Sequence, residues 1–204
     1  MIVVADHATV GGQLLSLVDG MVAHGARAVL LRVRQADRAT RVALVAGVRR
    51  ILAPVDGMLI IAGPVDEPPD EPPPAASPSP DAVAAVHLAA AQPFPRTRPS
   101  LVGRSCHDAG EVDRAAAEGC DYVFVSPVYP TDSKPGYGPA LGPLGLAALC
   151  DRAPMPVYAL GGVLPERVGE CLRAGAHGVA VMGPVLRDPP LVAEYLSALK
   201  EVPR

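Results

Sequence analysis

Short apolar runs alternate along this chain of 204 residues with longer segments in which apolar residues recur every three to four positions. Apolar runs of four or five residues between turn signals predict buried strands, and the longer periodic segments predict amphipathic helices. We predict eight strands, over residues 2–5, 28–32, 58–61, 85–88, 100–103, 122–126, 157–160 and 178–182. Helices are predicted over residues 13–24, 37–52, 108–118, 143–151, 165–174 and 189–200.

This order of elements predicts an α/β fold of the (β/α)8 TIM-barrel type, with residues 1–204 forming a single domain. Eight apolar strands, most of them followed by a helix, are typical of that barrel. The alternative is a doubly wound open sheet, which needs fewer strands. A glycine-rich turn after the first strand would favour the open sheet, but residues 6–12 (DHATVGG) lack the G-x-G-x-x-G pattern.

One quarter of the predicted barrel departs from the alternation of strand and helix. Residues 64–80 contain eight prolines and four acidic residues, where the third helix of the barrel is expected. Proline cannot continue a helix, so we expect an extended, polyproline-like or disordered excursion there. Residues 89–100 contain three more prolines, so the fourth helix should be short or absent.

Composition narrows the class of protein. Half of the residues are hydrophobic and the net charge is −3, which argues against the basic surface of a nucleic-acid-binding protein. No apolar run approaches the length of a membrane span, and the first residues, MIVVAD, do not resemble a signal peptide. The four cysteines show no C-x-x-C spacing, which favours reduced thiols. We therefore expect a cytoplasmic protein that binds neither nucleic acid nor membrane.

The candidate chemistry lies where the predicted strands end, because active sites of (β/α)8 barrels form at the carboxyl ends of their strands. Arg32 and Arg34 lie two positions apart and share a face, which favours contact with an anion over a solvated edge. Further side chains at strand ends are those of Asp6, His7, His87, Ser105, His107, Ser126, Tyr129, Thr131, Ser133 and Lys134. For His107, a role in orienting the start of the following helix remains open.

Glycines follow the last two strands. Gly161 and Gly162 come after the seventh strand, and Met182 and Gly183 come after the eighth. Loops at these two positions often bind phosphate through backbone N–H groups. The other interpretation is that the glycines only permit tight turns. Lys134, one of two lysines in the chain, stands on a proline-rich loop nearby in the barrel and favours a phosphate site.

Four segments resemble the second half of thiamine phosphate synthases. They are residues 103–107 (GRSCH), 121–134 (DYVFVSPVYPTDSK), 159–163 (ALGGV) and 174–181 (AGAHGVAV). The resemblance runs from about residue 101 to residue 186, in the family's order and spacing. It implies a transferase of thiamine biosynthesis that joins a pyrimidine methyl pyrophosphate to a thiazole phosphate and releases pyrophosphate. Its partners are thus small phosphorylated heterocycles.

The same resemblance implies roles for individual residues. Ser105 and Thr131 would contact the pyrimidine pyrophosphate, and Lys134 would neutralise the leaving pyrophosphate. The thiazole phosphate would be held by Gly161, Gly162 and the backbone around Met182 and Gly183. Our catalytic candidates are Lys134, Arg32, Ser105 and His107, and our substrate-binding candidates are Arg34, Ser126, Thr131, Gly161, Gly162, Met182 and Gly183.

The first half of the chain departs from the family pattern. The family's Gln-Leu-Arg-x-Lys segment reads LLRVR at residues 30–34. The resemblance implies Mg²⁺, held by an aspartate of an Asn-Asp-Arg triplet and by a second aspartate after strand four. The triplet falls on Ala62, Gly63 and Pro64, and residues 87–92 (HLAAAQ) contain no acid. Because Mg²⁺ prefers oxygen ligands such as carboxylates, we assign no metal ligands.

Two other functions stay open from the sequence. One is an isomerase acting on a thiazole phosphate, like the related thiazole tautomerases, with His107 or His87 as the acid or base. The tautomerase's own catalytic histidine would fall at Pro127, which has no proton to transfer. The other is a non-catalytic barrel that binds a phosphorylated ligand after losing the magnesium site. Self-association is an expectation by analogy with related barrels alone.

Overall fold

Eight parallel strands close into a barrel in which each strand neighbours the next along the chain, and β8 pairs with β1. The computed structural model describes residues 1–34, 36–63, 85–131 and 139–201. The strands are β1 (Ile2–Asp6), β2 (Ala28–Arg32), β3 (Met58–Ala62), β4 (Ala85–Leu88), β5 (Leu101–Cys106), β6 (Tyr122–Val125), β7 (Val157–Ala159) and β8 (Gly178–Val181). The predicted (β/α)8 barrel is confirmed, and the open-sheet alternative is wrong.

Helices surround the barrel. They are α1 (His7–Val10), α2 (Leu14–Ala23), α3 (Arg38–Leu52), α4 (Ala109–Ala117), α5 (Gly142–Arg152), α6 (Val168–Arg173), α7 (Gly183–Arg187) and α8 (Leu191–Lys200). Sequence periodicity missed α1 and α7 because each is about one turn long. Both begin directly at a strand end, α1 after β1 and α7 just past β8, so both lie beside the barrel mouth.

Aspartates cap the first turns of α3 and α4. The carboxylate of Asp37 accepts a hydrogen bond from Thr40 N at 2.7 Å, and that of Asp108 accepts one from Glu111 N at 2.9 Å. Each bond satisfies a backbone donor that the first turn of a helix leaves without a partner. Glu111 reaches back to accept a hydrogen bond from His107 N at 2.6 Å, one residue before the Asp108 cap.

Two apolar layers follow from the alternation of side chains along each strand. One set faces the helices and includes Val3, Val29 and Leu31, all fully buried. The other fills the inside of the barrel with aliphatic and aromatic residues, namely Ile2, Val4, Leu30, Ile60, Ala85, Tyr122, Phe124 and Ala180. The interior is therefore a packed core, and ligands have access at its ends.

A buried arginine holds the segment between β4 and β5 in place. Residues 89–100 contain turns and no helix, as the prolines predict. The fully buried guanidinium of Arg104 forms an ion pair with Glu118. Its Nη1 donates at 2.7–3.1 Å to the carbonyl oxygens of Ala89, Ala90 and Gln92. The segment is thus held against β5 by polar contacts. The predicted excursion over residues 64–80 lies outside the described residues.

Cys106, Cys120, Cys150 and Cys171 are free thiols, and burial raises the pKa of Cys106 to about 12. Among the described residues, none of the helices combines the length and the apolar character needed to cross a membrane.

Candidate active site

The closed parallel barrel brings most of the predicted site residues to one end. Arg32 is the last residue of β2, and Ser105 lies near the carboxyl end of β5. Ser126, Gly161 and Met182 follow β6, β7 and β8 within two residues. Since all strands run in the same direction, these residues surround a common mouth at the carboxyl ends.

Arg32 forms the cationic wall of this mouth together with Arg34. Its Nη1 lies 3.6 Å from Asp6 Oδ2 and 3.6 Å from Met182 Sδ, so β1, β2 and β8 meet at this side chain. Arg34 lies two residues further and is exposed. Asp6 also accepts a hydrogen bond from Ala8 N at 3.2 Å, as the cap of α1. Its carboxylate is therefore engaged by a cation and by a helix start.

His87 is buried inside the barrel between two hydroxyl groups. Its Nδ1 lies 3.1 Å from Tyr122 Oη, and its Nε2 lies 2.9 Å from Ser105 Oγ. The ring of Phe124 lies beside it, with a centroid separation of 4.2 Å. Burial, followed by the positive charges of nearby guanidinium groups, lowers the pKa of His87 to about 3. The imidazole is thus neutral at neutral pH, which does not suit the acid role considered for the isomerase.

His107 connects the start of α4 to the end of β6. Its Nδ1 lies 2.6 Å from the carbonyl oxygen of Ser126, and because a carbonyl oxygen only accepts, Nδ1 carries the hydrogen. Ser126 Oγ lies 3.4 Å from the same nitrogen, and the Ser126 side chain is buried. The contact between His107 N and Glu111 supports a role at the helix start. The contact of the imidazole with Ser126 O places the ring at the mouth.

The loop after β6 is fastened to the loop after β7 by backbone hydrogen bonds. Val128 N donates to Leu160 O, and Tyr129 N donates to Gly161 O, both at 2.9 Å. On the far side of the loop, Leu141 N donates to Pro127 O at 3.0 Å. Thr131 is the last described residue before a gap, is half-buried, and makes an interaction of its own. Ser133 and Lys134 lie outside the described residues.

Gly161 and Gly162 are required by the close approach of these two loops. Their φ values are +91° and +63°, which disfavour side chains. A Cβ on Gly161 would lie 2.9 Å from Pro127 Cα, and one on Gly162 would overlap the carbonyl oxygen of Pro130. The tight-turn interpretation of these glycines therefore holds. In the described part of the chain, the N–H groups of Gly161 and Gly162 have no backbone acceptor.

Side chains of the helical segment between β7 and β8 contact this glycine pair and the loop after β6. Arg167 Nη1 donates to Gly162 O at 2.9 Å, and its guanidinium lies 4.5 Å from the centre of the Tyr129 ring. The hydroxyl of Tyr129 donates to Glu170. Sequence analysis missed Arg167 and Glu170 because they stand in helical segments that carry no motif. The spacing of three between them, on one helix face, was the available signal.

Gly183 begins α7, and Met182 precedes it without a side-chain cap. The first N–H groups of a helix have no partner within the helix, and barrels of this type often use a short extra helix after β8 to bind phosphate. Gly161 and Gly162 thus follow β7, and the start of α7 follows the neighbouring strand β8.

The positions expected to bind Mg²⁺ do not fit that ion. Ala62 ends β3, and Gly63 N donates to His87 O at 3.1 Å. Neither residue has a ligating side chain, and the described residues contain no cluster of His, Cys, Asp and Glu able to hold a metal. Mg²⁺ needs several oxygen ligands in a fixed octahedral geometry. We therefore assign no reaction step to a metal.

Comparison with known proteins supports the resemblance found in the sequence. The family model of thiamine monophosphate synthase matches residues 84–185. A protein of Geobacter sulfurreducens named "Putative thiamine-phosphate synthase" is 35% identical over 187 residues, which span 90% of this chain and 84% of that protein. The thiamine-phosphate synthase of Salinibacter ruber is 42% identical over 85 residues, which span 42% of this chain and 37% of that protein.

A solved structure agrees in fold. The thiamine phosphate pyrophosphorylase of Pyrococcus furiosus superposes with a TM-score of 0.74, covers 98% of this chain and 95% of that chain, and is 20% identical. The fold and the mouth define a (β/α)8-barrel protein with its candidate ligand groups at the carboxyl ends of the strands. From the family model and the Geobacter relative, the chain belongs to the thiamine monophosphate synthase family.

Proposed function

We propose that this protein is a thiamine phosphate synthase, which joins a pyrimidine methyl pyrophosphate to a thiazole phosphate. In this reaction the bond between the pyrimidine methylene carbon and the pyrophosphate oxygen breaks, and pyrophosphate leaves with the electron pair. The thiazole nitrogen then donates its electron pair to the resulting carbocation. The observation that carries the proposal is that the glycine-rich turn after β7 and the loop after β6 are fastened together at the barrel mouth.

Cationic and hydroxyl groups support binding of the pyrophosphate. We assign this role to Arg32, Arg34 and Lys134, with Ser105 and Thr131 as hydrogen-bond donors. Charge that develops on a leaving group is stabilised most effectively by groups already fixed in position. Arg32 meets this condition, because Asp6 and Met182 hold its guanidinium.

Backbone groups after β7 and β8 support binding of the thiazole phosphate. The N–H groups of Gly161 and Gly162, together with those at the start of α7 at Gly183, would donate hydrogen bonds to the phosphate oxygens. Met182 lies between this site and Arg32, which it contacts at 3.6 Å. Each phosphorylated substrate would therefore occupy its own part of a continuous mouth. We assign Ser126 and His107 to the wall between β5 and β6.

A direct assay tests the proposal. The protein is incubated with the pyrimidine methyl pyrophosphate and the thiazole phosphate, with Mg²⁺ in one series and with a chelator in the other, and thiamine phosphate is quantified by chromatography. Formation of thiamine phosphate supports the proposal. Absence of product, together with binding of the thiazole phosphate by calorimetry, would contradict it and favour the non-catalytic binder.

The two lysines of the chain form a matched pair for the same assay. Lys134→Ala should weaken pyrophosphate binding and slow product formation, because it removes a cation beside the leaving group. Lys200→Ala removes an equal charge from the exposed last residue of α8 and should change neither. Equal pyrophosphate affinity in the two variants would refute the role assigned to Lys134.

A further inference from the structure

Three residues of the barrel interior form a continuous hydrogen-bonded chain that ends at the mouth. The Tyr122 hydroxyl lies 3.1 Å from Nδ1 of His87, and Nε2 of His87 lies 2.9 Å from Ser105 Oγ. We propose that this chain has a fixed direction, in which Tyr122 donates to His87, His87 donates to Ser105, and the Ser105 hydroxyl is left to donate to a ligand. His87 is then a positioning residue that acts through Ser105.

The register of the sheet creates this chain. His87 of β4 pairs with Gly103 of β5, and Gly103 pairs with Tyr122 of β6, so the three residues form one row across neighbouring strands. A Cβ on residue 103 would overlap the Tyr122 ring. Glycine at this position therefore lets the ring lie across β5 and reach His87. Ser105 lies two residues beyond Gly103 on the same face of β5, which places it on the mouth side of the row.

The direction follows from the hydrogen-bonding capacities of the three groups. Tyr122 is buried, with 4% of its surface exposed, and the only acceptor for its hydroxyl among the described residues is His87 Nδ1. A buried hydroxyl without an acceptor costs about 1–3 kcal/mol. The pKa of Tyr122 is raised by burial, so its proton is retained. Nδ1 must therefore be the acceptor.

The protonation state of His87 completes the chain. A neutral imidazole has one N–H, and if Nδ1 accepts, the hydrogen is on Nε2. Burial, followed by the charges of Arg32, Arg34 and Arg104, lowers the pKa of His87 and keeps the ring neutral. Nε2 thus donates to Ser105 Oγ, and the hydroxyl hydrogen of Ser105 points elsewhere. No acceptor for that hydrogen lies among the described residues.

A ligand with anionic oxygens fits this arrangement, because the serine offers a donor at the mouth that Arg32 and Arg34 border, and the charges of both arginines act on its partner His87. This last step rests on the proposed function, in which the ligand is the pyrophosphate of the pyrimidine substrate. The reverse direction, with Ser105 donating to His87, would turn the oxygen lone pairs of Ser105 toward the anion and repel it. Fixing the imidazole tautomer therefore decides whether Ser105 attracts or repels the ligand.

Nitrogen-15 NMR of the protein tests the direction of the chain. Long-range correlations assign which nitrogen of His87 carries the hydrogen, and they need neither ligand nor turnover. We expect a neutral ring with hydrogen on Nε2 at pH 7. Hydrogen on Nδ1, or on both nitrogens, would overturn the proposal. Because this measurement does not depend on catalysis, it decides the direction of the chain even where the synthase assay fails.

Two tyrosine variants provide the matched comparison. Tyr122→Phe removes the donor to Nδ1 and should allow the other His87 tautomer to form, with pyrophosphate affinity reduced by about threefold to tenfold, the effect of one hydrogen bond. Tyr158→Phe changes the neighbouring interior tyrosine, whose ring lies 5.8 Å from that of Tyr122, and should leave the tautomer unchanged. A Tyr122→Phe protein with the wild-type tautomer would overturn the proposal.

Discussion

Gly162 lies against the backbone of Tyr129 so closely that a Cβ on residue 162 would be 2.8 Å from the carbonyl oxygen of Tyr129. Its φ of +63° also disfavours any side chain. The glycine is therefore required twice, by its conformation and by the loop it contacts. Substitution must displace either the turn after β7 or the loop after β6, and both border the mouth.

Gly162→Ala is predicted to destabilise the protein by about 2–5 kcal/mol, since strain at positive φ adds to overpacking. Gly119→Ala is the matched control, because Gly119 has a φ of +75° with nothing within 4 Å of an added Cβ. The control should cost about 1 kcal/mol, the conformational part alone. Chemical denaturation measures both, and equal losses would show that the contact with the β6 loop is unimportant.

Arg104→Leu is predicted to destabilise the protein by about 2–4 kcal/mol. The substitution removes the Arg104 hydrogen bonds to three carbonyl groups, which, among the described residues, keep only their bonds from Gln92 N at 3.0 Å and from Arg114 at 3.3 Å. It also leaves Glu118 without its buried partner, although Glu118 keeps its pair with Arg114 and partial contact with water. The unfolding midpoint in denaturant measures the loss. We also expect the 89–100 segment to become sensitive to proteolysis before the rest of the barrel.

The control for Arg104 is an ion pair of similar composition on the surface. Arg152 and Asp113 are both about half exposed, with side-chain exposures of 52% and 50%. Exposed pairs contribute little to stability, so Arg152→Leu should leave the unfolding midpoint nearly unchanged. A similar loss in both variants would mean that burial of Arg104 does not determine its contribution.

The stability difference between the wild type and His87→Gln should depend on pH. Folding holds the pKa of His87 at about 3, below its ordinary 6.5, so between these values the unfolded chain binds more protons than the folded chain. The contribution is therefore complete above pH 6.5 and is lost as the pH falls toward 3. At pH 5 the wild type should have lost about 2 kcal/mol relative to the variant, compared with pH 7.

Urea unfolding of both proteins at several pH values measures this difference. The other titrating groups are shared by the two proteins, so their effects cancel to a first approximation. A difference that stays constant from pH 7 to pH 5 would mean that the His87 pKa is close to its ordinary value and would contradict the buried, neutral imidazole.

Arg32→Gln is predicted to weaken pyrophosphate binding by about tenfold to a hundredfold, the usual range for a hydrogen bond to a charged group. The substitution also frees the negative charge of Asp6 at the mouth. Arg27→Gln is the control, because Arg27 is exposed and precedes β2 at the opposite end of the barrel. Calorimetry with pyrophosphate measures both, and similar affinities would remove Arg32 from the binding wall.

The fold could be predicted because its signals are local. Apolar runs mark each strand within about three residues, and recurring apolar positions mark the longer helices. The strand ends could then be read for chemistry, because parallel strands in a barrel share one mouth. The positions of Arg32, Ser105 and Gly161 at the mouth were predicted in this way.

The remaining features depend on contacts between distant parts of the chain. No local pattern distinguishes Arg104 from the other arginines. Its partners lie after β4 and at the end of α4. The row of His87, Gly103 and Tyr122 depends on the register of three strands, which no local pattern specifies. The helices α1 and α7 are too short for periodicity to identify.

The hydrogen bonds between the loops after β6 and β7 couple the two proposed binding regions mechanically. A ligand bound at the glycine turn also restricts the motion of Val128 and Tyr129. The second ligand therefore loses less conformational entropy when it binds. We expect the two substrates to show positive heterotropic cooperativity, so that each raises the affinity of the other by the same factor.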